Sequence, residues 1–149
     1  MTRSGTLVPT TVEARAAQLR WFAALFAIAV LTHGADHLRR GMNTVSSTIM
    51  ALGTTQLILA AVTVVAVFLG LRWAAWAAVA IGFVSALAFA VVHLLPDWLG
   101  PFSDSFINAP AAAKVTGFSW FSAVFEILAD AAFGIVGLRA LGTWRSPRP

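Results

Sequence analysis

Long runs of apolar residues, separated by short polar stretches, dominate the hydrophobic pattern of this chain. Four of the runs reach the length of about 20 residues that a helix needs to cross the hydrocarbon core of a bilayer. The pattern predicts helices over residues 19–38, 48–71, 73–95 and 117–138. We therefore predict an all-α fold, an integral membrane four-helix bundle in which residues 1–149 form a single four-span domain.

The connections between the four runs differ in length. Little more than Arg72 separates the second run from the third, which predicts a tightly linked antiparallel pair of helices. The third and fourth runs are joined by the long stretch "PDWLGPFSDSFINAPAAAK", which contains three prolines. This stretch is the only long loop that the pattern predicts.

Composition agrees with a membrane location. Apolar residues make up 59% of the chain and charged residues 11%, whereas a soluble domain has roughly 25% charged residues. The ten Lys and Arg residues are scattered in ones and twos, so they form no continuous basic surface for binding nucleic acid. The absence of cysteine excludes disulfides, thiolate metal ligands and thiol catalysis. The expected partner is the lipid bilayer.

The distribution of positive charge predicts the orientation of the chain. Cytoplasmic loops of membrane proteins carry an excess of Lys and Arg. Three such residues, Arg39, Arg40 and Lys114, fall on one side of the predicted spans. Seven fall on the other side: Arg3, Arg15, Arg20, Arg72, Arg139, Arg145 and Arg148. We expect a multi-pass protein of the cell membrane with both termini in the cytoplasm.

Ionisable residues occur at helical spacing inside three of the four runs. His33 and His37 are four residues apart in the stretch "LTHGADHLRRG", and His93 lies near the end of the third run. Glu126 and Asp130 are also four apart and so share a face of the fourth helix. A charged residue at the centre of a span costs about 2.5–3.5 kcal/mol on insertion scales, so we expect these residues to have a function.

Depth along the helices brings several of these residues to one level. At a rise of 1.5 Å per residue, His33, Glu126 and Gln56 each lie about 10–12 Å below the outer end of their helix. His93 is shallower, at about 5–8 Å, and Asp130 is deeper, at about 18 Å. The pattern predicts one polar pocket that opens to the outer face of the membrane.

Imidazole and carboxylate groups in a helix bundle are typical ligands of transition metals such as Zn, Fe, Cu or Mn. The predicted metal ligands are His33, His37, His93 and Glu126. Residues predicted to orient the ligands or to handle protons are Asp36, Gln56 and Asp130. Haem is a second option, in which a histidine of helix 1 and His93 would bind opposite faces of the iron, with Arg39 and Arg40 near the propionates.

Other readings of the same residues stay open. Asp36, His37, Arg39 and Arg40 are also typical of an ordinary interfacial helix end that stops at Gly41. Glu126 and Asp130 are equally compatible with an accessory subunit whose carboxylates pair with another membrane protein. A third hypothesis is a small proton-coupled transporter, which would need a homodimer to form a pathway. No motif for catalysis is present, so an enzymatic activity is not predicted.

Overall fold

The computed structural model describes residues 10–142, which contain four α-helices and no strand. The helices are α1 (Thr11–Arg40), α2 (Ser47–Phe68), α3 (Ala74–Leu94) and α4 (Gly117–Gly142). Each is long and apolar enough to cross a membrane. The predicted all-α four-helix fold is confirmed. Arg3, Arg145 and Arg148, which contribute to the predicted orientation, lie outside the described residues.

The helix boundaries differ from the predicted ones mainly in α1, which begins at Thr11 rather than at residue 19. Thr10 and Glu13 form a capping box, in which the Thr10 side chain accepts from the Glu13 amide and the Glu13 carboxylate accepts from the Thr10 amide. This arrangement satisfies backbone donors at the start of the helix. The first two turns of α1 are polar, so a hydropathy pattern does not detect them.

Helix α4 is the centre of the packing, because the two most extensive helix interfaces are those of α4 with α3 and of α4 with α1. Helix α2 packs less extensively against α3 and α1 and completes the ring of four helices. Helices α1 and α3 lie across from each other and meet through side chains. In the interior, the rings of Phe26 and Phe133 stack with their centroids 4.8 Å apart.

Glycines allow the backbones of α3 and α4 to approach closely. A Cβ atom placed on Gly82 would lie 2.6 Å from the carbonyl oxygen of Asp130 and 2.6 Å from the amide nitrogen of Gly134. Real Cβ atoms do not come that close to backbone atoms, so the contact depends on the missing side chain. Small residues at helix contacts are common in membrane proteins for this reason.

Large apolar side chains cover the outer surfaces of the helices. Leu31 is 69% exposed, Leu87 is 68% exposed and Leu128 is 64% exposed. A water-soluble monomer rarely presents an apolar surface of this extent, whereas lipid tails cover it without cost. The exposed surface therefore agrees with the membrane location.

The connection between α3 and α4 folds back onto the end of the bundle where α1 and α3 end, which we call the site end. The amide of Asp104 donates to the carbonyl oxygen of Val92, and the amide of Phe106 donates to that of His93. Phe106 and Asp104 are both buried. The loop is therefore part of the packed structure.

Candidate metal centre

Three imidazole rings meet at the site end of the bundle. His33 and His37 are one turn apart on α1, and His93 belongs to the last turn of α3. The ring centroid of His33 lies 4.7 Å from that of His37 and 4.8 Å from that of His93. One ring nitrogen from each residue can be chosen so that all three lie within 4.8 Å of one another. These are the three histidines of the chain.

The protonation of His93 follows from its hydrogen bond. Its Nδ1 atom lies 3.1 Å from the main-chain carbonyl oxygen of Asp104. A carbonyl oxygen can only accept, so Nδ1 carries the hydrogen and donates it. The lone pair of the neutral ring is then on Nε2, which is buried and has no hydrogen-bond partner within residues 10–142. A histidine held in this way is prepared to bind a metal through Nε2.

His33 presents its two nitrogens to different neighbours. Its Nε2 atom lies 3.0 Å from Nε2 of His37, so one ring donates and the other accepts. Its Nδ1 atom lies 3.7 Å from Oε2 of Glu126. Nε2 of His93 is thus free for a cation as it stands, whereas the His33 and His37 Nε2 atoms could both bind one only after the hydrogen between them has moved to Nδ1 of the donating ring.

The spacing of these nitrogens suits a small ion. Two nitrogen ligands of a tetrahedral zinc ion at about 2.0–2.1 Å lie about 3.3 Å apart. The His33 and His37 nitrogens are already 3.0 Å apart. The most separated nitrogens of the group, at up to 4.8 Å, would have to approach by roughly 1.5 Å.

Haem fits the arrangement less well. Two axial histidines bind the iron from opposite faces of the macrocycle. The rings of His33 and His93 are in direct contact, with centroids 4.8 Å apart and planes inclined by 59°. No space for a porphyrin separates them, so the geometry favours a single metal ion.

Glu126 borders the cluster without joining the three ligand atoms. It is 1% exposed, and its Oε2 atom approaches the edge of His33 that faces away from His37. A carboxylate next to the second nitrogen of a metal-binding histidine orients the ring and increases its basicity. The structure thus places the predicted ligand Glu126 beside His33, with no hydrogen bond between Oε2 and Nδ1 in the described residues and outside the group of three histidine nitrogens.

Asp36 and Arg39 form a separate polar group beside the histidines. The Arg39 guanidinium donates to Oδ1 of Asp36 at 2.8 and 3.0 Å, and the Ser119 hydroxyl donates to the same oxygen at 3.1 Å. Among the described residues, Asp36 makes no hydrogen bond to a histidine. Its predicted role in orienting an imidazole therefore has no direct contact to support it.

The end of α1 differs from an ordinary interfacial helix end. Asp36 and Arg40 are fully buried, whereas an interfacial end would leave both in contact with water. Arg40 donates to the two carboxylate oxygens of Asp104 at 2.7 and 2.6 Å, and its Nε–H donates to the carbonyl oxygen of Ala113 at 2.8 Å. The interfacial reading does not describe these two residues.

Gln56 and Asp130 lie away from the cluster. The Gln56 amide donates to the Ser85 hydroxyl at 3.4 Å, and Ser85 is two turns before His93 on α3. Asp130 is fully buried, and neither carboxyl oxygen has a hydrogen-bond partner in the described part of the chain. Of the three residues predicted at a common depth, His33 and Glu126 therefore lie beside each other, whereas Gln56 contacts Ser85.

Two residues of the centre, Asp104 and Phe106, were not predicted from the sequence. The Phe106 ring lies 4.7 Å from that of His93, and the Arg40 guanidinium lies 5.3 Å from the Phe106 centroid. Both residues belong to the long loop, where no periodicity relates a position to the helices. The proline content of that loop was the only available signal that it has a defined conformation.

Comparison of the chain with protein-family models, with curated proteins and with solved structures finds no match. The function must therefore be argued from the residues and their geometry.

Proposed function

We propose that this protein is a multi-pass membrane protein that binds a divalent transition-metal cation through His33, His37 and His93. The observation that carries the proposal is the convergence of one ring nitrogen from each histidine within 4.8 Å. Imidazole suits Zn, Fe and Cu better than it suits Mg or Ca, which prefer oxygen ligands. The contacts of Asp104 with His93 and of Glu126 with His33 resemble the outer partners of known metal ligands.

One carboxyl beside the cluster has no basic partner within residues 10–142 and is available to compensate a bound cation. The carboxylates of Asp36 and Asp104 each pair with an arginine. Glu126, whose Oε2 atom lies 3.7 Å from Nδ1 of His33, has no Lys or Arg partner within residues 10–142. A bound cation would favour the ionised form of Glu126, because opposite charges attract more strongly in a medium of low dielectric than in water.

The exposure of the rings supports a route for the ion. His33 and His93 are buried, whereas His37 is partly exposed. An ion would therefore enter past His37, and the hydrogen between the His33 and His37 Nε2 atoms would move to Nδ1 of the donating ring, so that both Nε2 lone pairs are free for the ion. Three protein ligands leave a further coordination position for water or for an exchanging ligand.

Metal analysis of the purified protein tests the proposal. The protein would be loaded with Zn²⁺ in mild detergent, desalted and analysed for zinc. We expect about one zinc per chain for the wild type and a loss of at least tenfold in affinity for His33→Ala and His93→Gln. Thr32→Ala is the matched control, since Thr32 is next to His33 but its hydroxyl donates to the carbonyl oxygen of Ile28. Wild-type protein without near-stoichiometric zinc would contradict the proposal.

Asp130 favours a second candidate, a proton-coupled transporter that functions as a homodimer. A fully buried carboxyl without a partner is costly in a membrane helix and is typical of proton pathways. Metal uptake into vesicles with an imposed pH gradient tests this function. Asp130→Asn is expected to remove the dependence on the gradient while zinc binding in detergent persists. Uptake that stays coupled to protons in this variant would exclude it.

An accessory role is supported less by the structure. It requires Glu126 and Asp130 to face another membrane protein, and both side chains are buried inside this chain. Neither carboxylate is therefore available to a partner without a rearrangement of α4.

A further inference from the structure

The two adjacent arginines at the end of α1 have different partners. Arg39 is partly exposed, pairs with Asp36, and donates to the carbonyl oxygen of Lys114 and to the Ser119 hydroxyl, so none of these contacts reaches a histidine. Arg40 is fully buried and makes two parallel hydrogen bonds to the carboxylate of Asp104. A planar guanidinium matches a carboxylate in this way and fixes the orientation of both groups. The pair therefore ties the end of α1 to the loop between α3 and α4.

Asp104, which pairs with Arg40, also determines which ring nitrogen of His93 carries the hydrogen. The carboxylate of Asp104 binds Arg40, while its main-chain carbonyl oxygen accepts the Nδ1 hydrogen of His93. The backbone on both sides is anchored to α3 through the Asp104 and Phe106 amides. A shift of this short segment would move the acceptor away from Nδ1.

Further contacts of the Arg40 side chain require an arginine at this position. Its Nε–H donates to the carbonyl oxygen of Ala113 at the far end of the same loop, at 2.8 Å. Its guanidinium lies 5.3 Å from the centroid of Phe106, whose ring packs against His93. A guanidinium near an aromatic ring adds an electrostatic attraction. A lysine at this position could not make all of these contacts at once.

We infer that Arg40 and Asp104 are positioning residues of the metal centre, because they hold the loop where its carbonyl oxygen fixes His93 with Nε2 free for the cation. This inference rests on the proposed function for its metal-binding part. The ring nitrogen of His93 that carries the hydrogen can be identified without any metal, so the inference and the proposed function can fail separately. Neither residue is expected to touch the ion.

The first experiment makes the same substitution at two neighbouring positions. Arg40→Lys keeps the positive charge but loses the paired hydrogen bonds, so zinc affinity is expected to fall by about tenfold, as for other partners that orient a ligand. Arg39→Lys is the matched control and is expected to change the affinity by less than about twofold. Equal effects at the two positions would overturn the inference.

The second experiment addresses folding. Replacement of one partner of a buried ion pair leaves an uncompensated charge, whereas replacement of both by apolar residues is often tolerated. The double variant Arg40→Met with Asp104→Leu is therefore expected to stay folded, with a melting temperature close to that of the wild type. It is also expected to bind zinc about tenfold more weakly.

The decisive readout is the protonation of His93 in metal-free protein, followed by ¹⁵N NMR of histidine-labelled samples above pH 8. With three histidines in the chain, His93→Gln assigns the signals. The wild type is expected to show one form of His93 with hydrogen on Nδ1, and the double variant a mixture of both forms. A folded double variant with the unchanged single form would overturn the inference, even if zinc binding were weakened. A wild type that binds no zinc but shows the expected change in His93 would contradict only the proposed function.

Discussion

At the scale of single residues, the two buried histidines of the centre direct Nδ1 toward oxygen atoms of the protein and Nε2 toward the cluster or away from any partner. His93 gives its Nδ1 hydrogen to a carbonyl oxygen, and His33 turns its Nδ1 atom toward Glu126. His37 is less constrained and more exposed, which suits the ring that an entering ion meets first. The division of roles explains why three rings of the same kind need different surroundings.

Zinc affinity is expected to decrease as the pH is lowered. A proton and a metal ion compete for the same nitrogen lone pair, and free imidazole takes up its proton near pH 6.5. Binding should be tight at pH 8 and should weaken once the medium is acidic enough for protons to displace the metal from the nitrogens. Titrations with a competing chelator from pH 8 down to the lowest pH at which the protein stays folded would measure this. An affinity that stays constant down to that pH would argue against imidazole ligands.

Glu126→Gln tests the charge next to His33. The amide keeps the size of the side chain but removes the negative charge, so affinity for Zn²⁺ is expected to fall by about 10–100-fold. The loss should be smaller for the monovalent ion Ag⁺, since less positive charge needs compensation. Glu13→Gln is the control, because Glu13 caps the opposite end of α1. A parallel loss for both ions would contradict the charge argument.

At the scale of helices, the close contact of α3 with α4 holds the buried carboxyls inside the bundle. The backbone of α4 next to Gly82 belongs to Asp130 and Gly134. Any wider separation of the helices would open this region to lipid. The close contact at Gly82 therefore helps to keep the acidic face of α4 buried.

Gly82→Ala is expected to destabilise the protein by about 1–3 kcal/mol, because the added methyl group meets backbone atoms that cannot rotate away. Gly53→Ala is the matched control on α2, where an added Cβ would meet nothing within 4 Å. That change is expected to be neutral or slightly stabilising, since alanine favours helix more than glycine does. Thermal unfolding in detergent measures both. Equal melting temperatures for the two variants would show that α3 and α4 can separate without cost.

The sequence predicted the helices better than their ends. Helices α2 and α3 contain no Asp, Glu, Lys or Arg, and their predicted boundaries lie within three residues of the observed ones. The polar start of α1 depends on hydrogen bonds between Thr10 and Glu13, which hydropathy does not detect. A motif search for a capping residue followed by Glu would have found it.

The sequence also predicted part of the candidate centre. The spacing of His33 and His37 and the depth of His93 brought the three rings together correctly, because helical rise is regular. The same calculation of depth placed Gln56 at the level of the site, although it contacts Ser85 instead. This calculation assumes that all helices are parallel and begin at the same height in the membrane. Asp104 could not be predicted, because its pairing with Arg40 spans 64 residues and depends on the path of an irregular loop.

At the scale of the whole molecule, the centre lies at one end of the bundle, where α1 and α3 end. The charge distribution predicts that the site end faces outward. Since the chain has no cysteine, single cysteines can report on this. Asp97→Cys is expected to react with a membrane-impermeant maleimide in intact cells, and Val12→Cys only after the cells are opened. Both side chains are exposed. The reverse pattern would show that the centre faces the cytoplasm.

The pairing of Arg40 with Asp104 also constrains the order of events during biosynthesis. When Arg40 is added to the growing chain, Asp104 is still 64 residues from being made. At translation rates of roughly 5–20 residues per second, the arginine waits about 3–13 seconds for its carboxylate. We expect it to remain at the membrane surface during this interval and to be enclosed only after the loop has emerged. We therefore expect a nascent chain that ends before the loop to bind zinc more weakly than a chain that includes it.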